Sequence, residues 1–193
     1  SAVTRPEARQ RLFKHTMKKL TTPLSKKTIA SLRAGESVFL SGTIYTARDQ
    51  AHEKLAGMIR SGAKLPFALA GQVIYFCGPT KHAPGKKIGS CGPTTSKRMD
   101  PFSPTLLKAG LSGMIGKGSR TVPVVDAIKK YKGVYFLAYA GCGALINQYV
   151  RSARVVAFAS LGPEAIYRLE VDNFPLIVGV DSAGGNIYER LSV

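Results

Sequence analysis

Short runs of β-branched and aromatic residues alternate with amphipathic stretches along the chain. The runs are bounded by glycine or proline, and the amphipathic stretches repeat apolar residues every three or four positions. Strands are predicted at residues 37–46, 72–76, 114–115, 134–139, 155–159, 165–171 and 176–180. Helices are predicted at residues 25–32, 51–59, 103–109 and 122–131, the first with Ser25 as its N-cap. This alternation predicts an α/β fold in which helices flank a mixed sheet.

Less regular stretches add further expectations. Gly42 is predicted either to kink the first strand or to divide it into a bent pair. The small residues at 140–144 are predicted to open a helix that runs to Val150, and residues 187–193 are predicted to end the sheet. Residues 7–17 fit either a helix or a loose arm that a partner orders.

The charge balance limits the kinds of partner that the chain can have. Of 193 residues, 28 are Lys or Arg and 11 are Asp or Glu, which gives a formal net charge of +17. An excess of this size favours an acidic partner, nucleic acid or anionic substrates. Hydrophobic residues make up 45% of the chain, which is enough for a real core. Length and charge together predict a basic extension at residues 1–19 and a single domain at residues 20–193.

Cysteine spacing and hydropathy exclude several classes of protein. Cys77, Cys91 and Cys142 contain no CxxC pair, so we expect neither a disulfide framework nor a self-contained metal site. Unpaired cysteines favour a reducing compartment, and the cytoplasm is the expected location. The chain has no run of about 18 apolar residues, and residues 1–15 lack the apolar segment of a secretory signal. We therefore expect no membrane span and no export.

The densest chemical pattern is the stretch 89–100, GSCGPTTSKRMD. Its glycines allow the backbone to approach a ligand closely, and Pro93 suits the first position of a helix. Thr94 and the two hydroxyl residues after it would then lie beside the free N–H groups of the first turn, where anions bind. Arg98 would add a two-pronged contact to a carboxylate. The alternative is an ordinary helix with a solvated cationic face, and the stretch alone leaves both open.

Other candidate ligand contacts lie outside that stretch. Arg48 and Asp49 follow the first long strand and precede a helix, a junction where α/β proteins often bind ligands. The alternative is that Asp49 only caps the helix and Arg48 is a surface charge. Lys117 lies between two glycines and can reach a carboxylate as a point charge, although an ordinary turn is the simpler explanation. His52 is predicted to make a local helix contact rather than to act in catalysis.

Three stretches together resemble one known family. SGTIYTARDQAH at 41–52, GSCGPTTSKRMD at 89–100 and IGKG at 115–118 are similar to the β subunit, or C-terminal domain, of class I iron–sulfur fumarases and the related tartrate dehydratases. GQVIYFCGPT at 71–80 and AGCGAL at 140–145 fit as well, so the match covers most of the chain. The resemblance implies a swivelling β/β/α domain.

The resemblance also implies an activity, a cofactor and a partner. Class I hydratases add or remove water across a carbon–carbon bond of a dicarboxylic acid, expected here as the reversible hydration of fumarate to (S)-malate. Their [4Fe–4S] cluster acts as a Lewis acid and is held by cysteines of the α subunit or N-terminal domain, so no cysteine of this chain is assigned as a cluster ligand. We expect a cluster-bearing α subunit as partner, in an α2β2 heterotetramer. We expect no nucleic acid and no membrane as partner.

The resemblance assigns roles to individual residues. Arg48 would clamp a substrate carboxylate, Arg98 would hold a carboxylate, and Lys117 would add charge stabilisation. Thr94 would contact the substrate and take part in the acid/base chemistry. Removing a proton beside a carboxylate builds a doubly charged aci-carboxylate, which such cations stabilise. A hydroxyl is a poor base unless a neighbour activates it, and Asp49 is the candidate activator unless it only orients Arg48.

The sequence leaves three alternatives open. An L-tartrate dehydratase would use the same arginines, because tartrate and fumarate both carry two carboxylates. The net charge of +17 also fits a basic nucleic-acid-binding protein, although no RNA-recognition signature is present and the aromatic residues follow strand patterns. A structural subunit without catalytic residues is the third alternative.

Overall fold

The computed structural model describes residues 17–80, 88–139 and 146–190. The strands are β1 (Lys18–Thr21), β2 (Ser37–Thr46), β3 (Val73–Tyr75), β4 (Gly113–Gly116), β5 (Val134–Leu137), β6 (Val150–Ala157) and β7 (Ile166–Val180). The α-helices are α1 (Lys26–Ala30), α2 (Asp49–Ser61), α3 (Ser103–Lys108), α4 (Val122–Tyr131) and α5 (Ile187–Arg190). Short 3-10 helices cover Ser96–Met99, Asn147–Tyr149 and Ala159–Glu164.

The strands form one mixed sheet that closes on itself. Its order is β1-β2-β3-β4-β5-β7-β6, and the long strand β7 also pairs with β2. Strands β1 to β5 run parallel to one another, whereas β7 runs antiparallel to β2, β5 and β6. Because β7 joins both ends of the run from β2 to β5, the sheet has a barrel-like arrangement. The carboxyl ends of β2, β3, β4 and β5 therefore meet at one edge.

Alternating side chains divide the core into two clusters. Tyr75 and Phe136 belong to a cluster built mainly from β2, β3, β4, β5 and β7. Ile74 and Tyr135, one position away on the same strands, belong to a second cluster that packs against α2, α3 and α4. Successive strand residues point to opposite faces, so each short strand contributes to both clusters. The predicted mixed sheet flanked by helices is confirmed, while the swivelling β/β/α assignment stays a prediction.

Several local predictions are confirmed by the contacts that form them. The Ser25 hydroxyl accepts a hydrogen bond from the Thr28 N–H at 3.0 Å and begins α1 as its N-cap. β2 is one strand whose pairing with β7 shifts register between Leu40 and Gly42. Gly42 has a φ of +102°, which glycine adopts without strain, so the predicted kink is a bulge within one strand. β1 begins at Lys18, two residues before the predicted start of the domain.

The last third of the chain departs from the prediction. The predicted strands at 165–171 and 176–180 form one continuous strand that begins at Ile166, although Asn173 and Pro175 interrupt the local pattern. Pairing with β2 continues through this segment and overrides the local signals. The prediction that residues 187–193 end the sheet is wrong for the described part, because α5 forms there. Its first turn is fixed by the Asn186 side chain, which accepts from the Tyr188 N–H at 3.1 Å.

Cys77 and Cys91 form a disulfide with a Cα–Cα separation of 5.9 Å, so the expectation that the cysteines fit no disulfide framework is wrong for this pair. The two cysteines can bond because the segment at Ser90 and Cys91 lies beside the residues that follow β3. Thr80 and Ser90 are joined by two hydrogen bonds, of 3.0 and 2.8 Å, which bring the two cysteines together. The cysteines therefore no longer favour a reducing compartment, and the cytoplasm stays a prediction.

Some predictions fall on other parts of the chain. The helix or arm at residues 7–17 lies almost wholly outside the described residues, and the small residues at 140–144 lie wholly outside them. The predicted helix end at Val150 is wrong, because β6 begins at that residue after a single 3-10 turn. No helix in the part of the chain that the structure describes is long and apolar enough to cross a membrane.

A buried ion pair anchors the stretch 89–100 to the connection between β4 and α4. The Arg120 Nε donates to the Asp100 carboxylate at 2.7 Å, and the side chains are 0% and 7% exposed. Arg120 also donates to the Ser103 hydroxyl at 2.6 Å and lies over the rings of Phe76 and Tyr135. Every charged group here has a partner, so the pair fixes the position of the stretch.

Removal of one charge from this pair is expected to destabilise the protein. The substitution Asp100→Asn leaves the Arg120 charge buried without a counter-charge, and we expect the free energy of unfolding to fall by about 3–5 kcal/mol. Urea titration followed by circular dichroism measures the change. The matched control is Asp172→Asn, which breaks an exposed ion pair with Arg151 and should cost less than about 1 kcal/mol. Equal losses in the two variants would contradict this account.

Candidate active site

The residues predicted to bind a ligand lie near the carboxyl ends of neighbouring parallel strands. Arg48 and Asp49 follow β2, and Lys117 follows β4. Thr94 lies beside the end of β3, where its N–H donates to the Phe76 carbonyl at 2.6 Å. In α/β proteins this edge is the usual place for ligands. The prediction that Arg48 and Asp49 occupy a strand-to-helix junction is confirmed.

One carboxylate brings together two arginines from distant parts of the chain. Asp49 Oδ1 accepts a hydrogen bond from Arg98 Nε at 2.8 Å, and Asp49 Oδ2 lies 3.7 Å from Arg48 Nε. The side chains of Arg48 and Asp49 are 25% and 28% exposed, and that of Arg98 is 53% exposed. The cluster is thus partly open to solvent, so a small anion could reach it.

The simpler explanation of Asp49 as a helix cap is wrong. The residue at the N-cap position of α2 is Arg48, with an extended backbone, and Asp49 lies in the first helical turn. A carboxylate there still benefits from the partial positive charge of the helix end. Its hydrogen bond, however, goes to Arg98, so Asp49 links α2 to the stretch 89–100.

The helix predicted to begin at Pro93 does not begin there. The stretch is irregular through Thr94, and a 3-10 helix covers Ser96–Met99. The Thr94 N–H donates to the Phe76 carbonyl and the Ser96 N–H donates to the Lys117 carbonyl at 3.0 Å. These N–H groups are therefore used by neighbouring segments, and the prediction that they form an anion-binding helix end is wrong.

The main chain of Lys117 lies beside the stretch that carries Thr94 and Arg98. Thr95 and Lys117 form a parallel bridge, next to the hydrogen bond between Ser96 and Lys117. The residue after β4 is thereby held against the residue that follows Thr94. A role for the Lys117 ammonium group stays a prediction.

Two residues that the sequence did not single out contact Arg48. Glu164 Oε1 lies 3.9 Å from Arg48 Nη2, and its other oxygen accepts from the Gln50 N–H at 3.0 Å. A Cβ at Gly78 would lie 2.9 Å from Arg48 Cδ, so only glycine leaves room for this arginine. Neither residue carries a local signal, because a lone glutamate and a lone glycine are common in loops.

Comparison of the sequence with known proteins assigns the chain to a family. The sequence profile described as fumarase C-terminus matches residues 3–191, nearly the whole chain. The chain belongs to the fumarase C-terminus family.

Three relatives of this fumarase C-terminus chain differ in how much of their own length it covers. A protein of Methanocaldococcus jannaschii, provisionally named L(+)-tartrate dehydratase subunit beta, is 41% identical over 93% of this chain and 93% of its own length. The L(+)-tartrate dehydratase subunit beta of Escherichia coli is 34% identical over 89% of this chain and 87% of its own length. The anaerobic class I fumarate hydratase of Escherichia coli is 36% identical over 91% of this chain, which spans only 31% of that enzyme.

The described part of this fumarase C-terminus chain offers no ligand set for an iron–sulfur cluster. Cys77 and Cys91 are bonded to each other, and Cys142 lies outside the described residues. No group of three or more His, Cys, Asp or Glu side chains within the described ranges could hold a metal ion. Because such a cluster needs thiolate ligands, these residues do not fit one.

A cavity of about 290 Å³ lies elsewhere on this fumarase C-terminus fold. It is lined by residues of β6 and β7, namely Ser152, Ala153, Arg154, Arg168 and Glu170. None of these belongs to the cluster around Asp49. The candidate site is therefore defined by converging side chains rather than by this cavity.

His52 is buried beneath the candidate site in the first turns of α2. Its Nδ1–H donates to the Arg48 carbonyl at 2.9 Å, and its ring packs edge-on against Phe76. Burial lowers the pKa of His52 to about 4, with the Arg120 charge acting in the same direction. The hydrogen bond to the Arg48 carbonyl and the charge of Asp49 oppose that shift. The prediction of a local helix contact is confirmed.

This buried histidine predicts a pH dependence of stability. Its folded pKa lies below the unfolded value of 6.5, so between pH 6.5 and 4 the unfolded state binds more protons. We expect the free energy of unfolding to fall by about 3 kcal/mol across that window as the pH decreases. Comparison with His52→Asn by urea titration at each pH isolates this contribution, since other carboxyl groups titrate in both proteins. Identical pH profiles of the two proteins would contradict the assignment.

Proposed function

We propose that this chain is the β subunit of a class I hydro-lyase that reversibly hydrates fumarate to (S)-malate. It supplies carboxylate-binding and acid/base residues to a site shared with an α subunit. The observation that carries the proposal is the convergence of Arg48 and Arg98 on one carboxylate at the strand ends. Two forked cations at a partly open edge suit a small dianion.

In this proposal, some residues bind the substrate carboxylates and others take part in proton transfer. Arg48 and Arg98 bind the two ends of the dicarboxylate, and Lys117 adds positive charge near the carboxylate that gains charge. Proton removal beside that carboxylate builds an aci-carboxylate, and cations placed there stabilise it more than the ground state. Thr94 is held at the end of β3 by its main-chain hydrogen bond, which supports a fixed position for its hydroxyl.

Asp49 is proposed to position the arginines. Its hydrogen bond to Arg98 and its proximity to Arg48 support this role more directly than activation of Thr94. A carboxylate between two guanidinium groups reduces their mutual repulsion and fixes their separation. Activation of the Thr94 hydroxyl by Asp49 stays a prediction.

The partner is proposed to be a separate, cluster-bearing α subunit in an α2β2 heterotetramer. Two relatives of this chain are named subunit beta, which supports an α subunit as partner. We place the [4Fe–4S] cluster on the α subunit, because the described residues of this chain do not fit one. A swivelling β/β/α domain would let this subunit close over the substrate. Part of the +17 charge would then face the substrate and an acidic partner.

L-Tartrate dehydration is the alternative, favoured by the similarity to two proteins named L(+)-tartrate dehydratase subunit beta, one of them provisionally. Tartrate has the two carboxylates of fumarate together with an additional hydroxyl group. Co-expression with the cognate α subunit, followed by anaerobic steady-state assays on malate and on L-tartrate, tests the proposal. A kcat/KM at least about 100-fold higher for malate would support fumarate hydration. The reverse ratio would establish the tartrate activity, and no turnover of either acid would contradict the hydro-lyase proposal.

A further inference from the structure

Glu164 ends the 3-10 helix between β6 and β7 and faces the residues that open α2. Its Oε2 accepts a hydrogen bond from the Gln50 N–H at 3.0 Å, and its Oε1 lies 3.9 Å from Arg48 Nη2. The Glu164 side chain is only 17% exposed. A largely buried carboxylate held by a main-chain N–H has a fixed position, so it acts on Arg48 as a stationary charge.

Arg48 lies between two carboxylates without a close contact to either. Its Nε is 3.7 Å from Asp49 Oδ2, and its Nη2 is 3.9 Å from Glu164 Oε1. Both distances exceed the range of a hydrogen bond. Arg48 Nε and Asp49 Oδ2 are moreover buried atoms without a hydrogen-bond partner among the described residues. The guanidinium therefore lies near two negative charges without a close hydrogen bond to either, and the Arg48 side chain is 25% exposed.

Gly78 lies against the stem of the Arg48 side chain. A Cβ at Gly78 would lie 2.9 Å from Arg48 Cδ and 3.0 Å from the Pro163 carbonyl. Gly78 therefore lies close to both the Arg48 side chain and the Pro163 carbonyl. Pro163 and Glu164 are consecutive residues of the same 3-10 helix.

We propose that Glu164 is a positioning residue that holds the Arg48 guanidinium away from Asp49 and directed to the substrate carboxylate. This inference rests on the proposed function and adds a residue to it. Without the Glu164 charge, the attraction of Asp49 is unopposed, and Arg48 closes onto that carboxylate. Asp49 then holds both arginines more tightly, and Arg48 binds the dicarboxylate less well.

The substitution Glu164→Gln tests the charge of Glu164 separately from its hydrogen bond to the Gln50 N–H. Glutamine retains a side-chain oxygen that can accept from the Gln50 N–H, but it removes the charge beside Arg48. In the assembled enzyme we expect KM to rise about 3- to 10-fold with kcat within 2-fold, because Arg48 contributes similar binding to substrate and transition state. Calorimetry with succinate, a dicarboxylate that lacks the reacting double bond and hydroxyl, should show a matching loss of affinity.

The matched control is Glu170→Gln, which removes a carboxylate that contacts Arg168 at 2.9 Å and Thr43 at 2.7 Å. It should leave KM and succinate affinity unchanged. In an Arg48→Ala background, Glu164→Gln should have no further effect on KM, since the residue acts through Arg48. If the wild-type complex turns over and Glu164→Gln has an unchanged KM, the inference about Glu164 is wrong while the proposed function stands. A full Glu164→Gln effect without Arg48 would overturn that inference as well, and an inactive wild-type complex would overturn both this inference and the proposed function.

Discussion

Replacing Thr94 by valine in the assembled enzyme is expected to lower kcat by about 10³-fold and to change KM little. Valine has nearly the shape of threonine but no hydroxyl, so the variant removes the group proposed for proton transfer and keeps the packing. General acid/base groups contribute about 10²- to 10⁴-fold to rate, mostly through the transition state. Anaerobic steady-state kinetics on malate, or on tartrate if that is the substrate, measures both constants.

The neighbouring threonine provides the control for this experiment. Thr95 is exposed and meets Lys117 through its main chain, so Thr95→Val should leave kcat within about 2-fold of the wild type. Thr94→Ser retains a hydroxyl and should recover much of the lost rate. A Thr94→Val enzyme as active as Thr95→Val would remove Thr94 from the chemistry.

Replacing Arg98 by alanine is expected to lower kcat/KM by about 10²- to 10³-fold. The variant removes a cation proposed to hold a substrate carboxylate, and preorganised groups of this kind contribute about this much to catalysis. It also leaves Asp49 without its 2.8 Å hydrogen bond, which frees that carboxylate to draw Arg48 away from the substrate. Kinetics on the assembled complex gives the value, and co-elution with the α subunit establishes that assembly is intact.

Lys97 is the control for Arg98. It is an exposed cation in the same 3-10 turn, and its substitution by alanine changes the net charge by the same amount. We expect Lys97→Ala to keep kcat/KM within about 3-fold. Arg98→Lys should recover only part of the activity, since an ammonium group cannot form the two-pronged contact. Equal losses of kcat/KM in Lys97→Ala and Arg98→Ala would show that only the net charge of the chain matters and would contradict a specific role for Arg98.

Sequence patterns predicted those helices and strands whose formation depends mainly on neighbouring residues. The apolar repeat at 122–131 and the β-branched run at 37–46 form the predicted α4 and β2, because each stretch buries one face against the core. The long strand β7 could not be read from its sequence, since Asn173 and Pro175 look like a break. Its continuity depends on pairing with β2, which lies more than 100 residues earlier.

For the candidate site too, the sequence identifies individual residues but not the contacts that form between distant parts of the chain. Local patterns and the resemblance to a family both indicate Arg48, Thr94 and Arg98, but their separation along the chain does not reveal that Asp49 joins two of them. Glu164 had no signal of its own, because its contacts come from the packing of the 3-10 helix against α2.

The Cys77–Cys91 disulfide has a similar origin. The two cysteines lie 14 positions apart in the sequence, and nothing in that spacing indicates a pair. The hydrogen bonds between Thr80 and Ser90 return the chain to the end of β3 and create the proximity. Contacts that bring distant residues together in this way are a tertiary effect, which the pattern of residues along the chain does not indicate.

The most direct test of the account is purification of this chain from its source cells under anaerobic conditions, with assay of the eluate on malate and L-tartrate. The account predicts that a second chain carrying thiolate cluster ligands elutes in equal amount and that the complex has oxygen-sensitive hydro-lyase activity on one of the two acids. Elution of this chain alone, or a complex inert toward both acids, would contradict the central claim that its cations serve a shared dicarboxylate site.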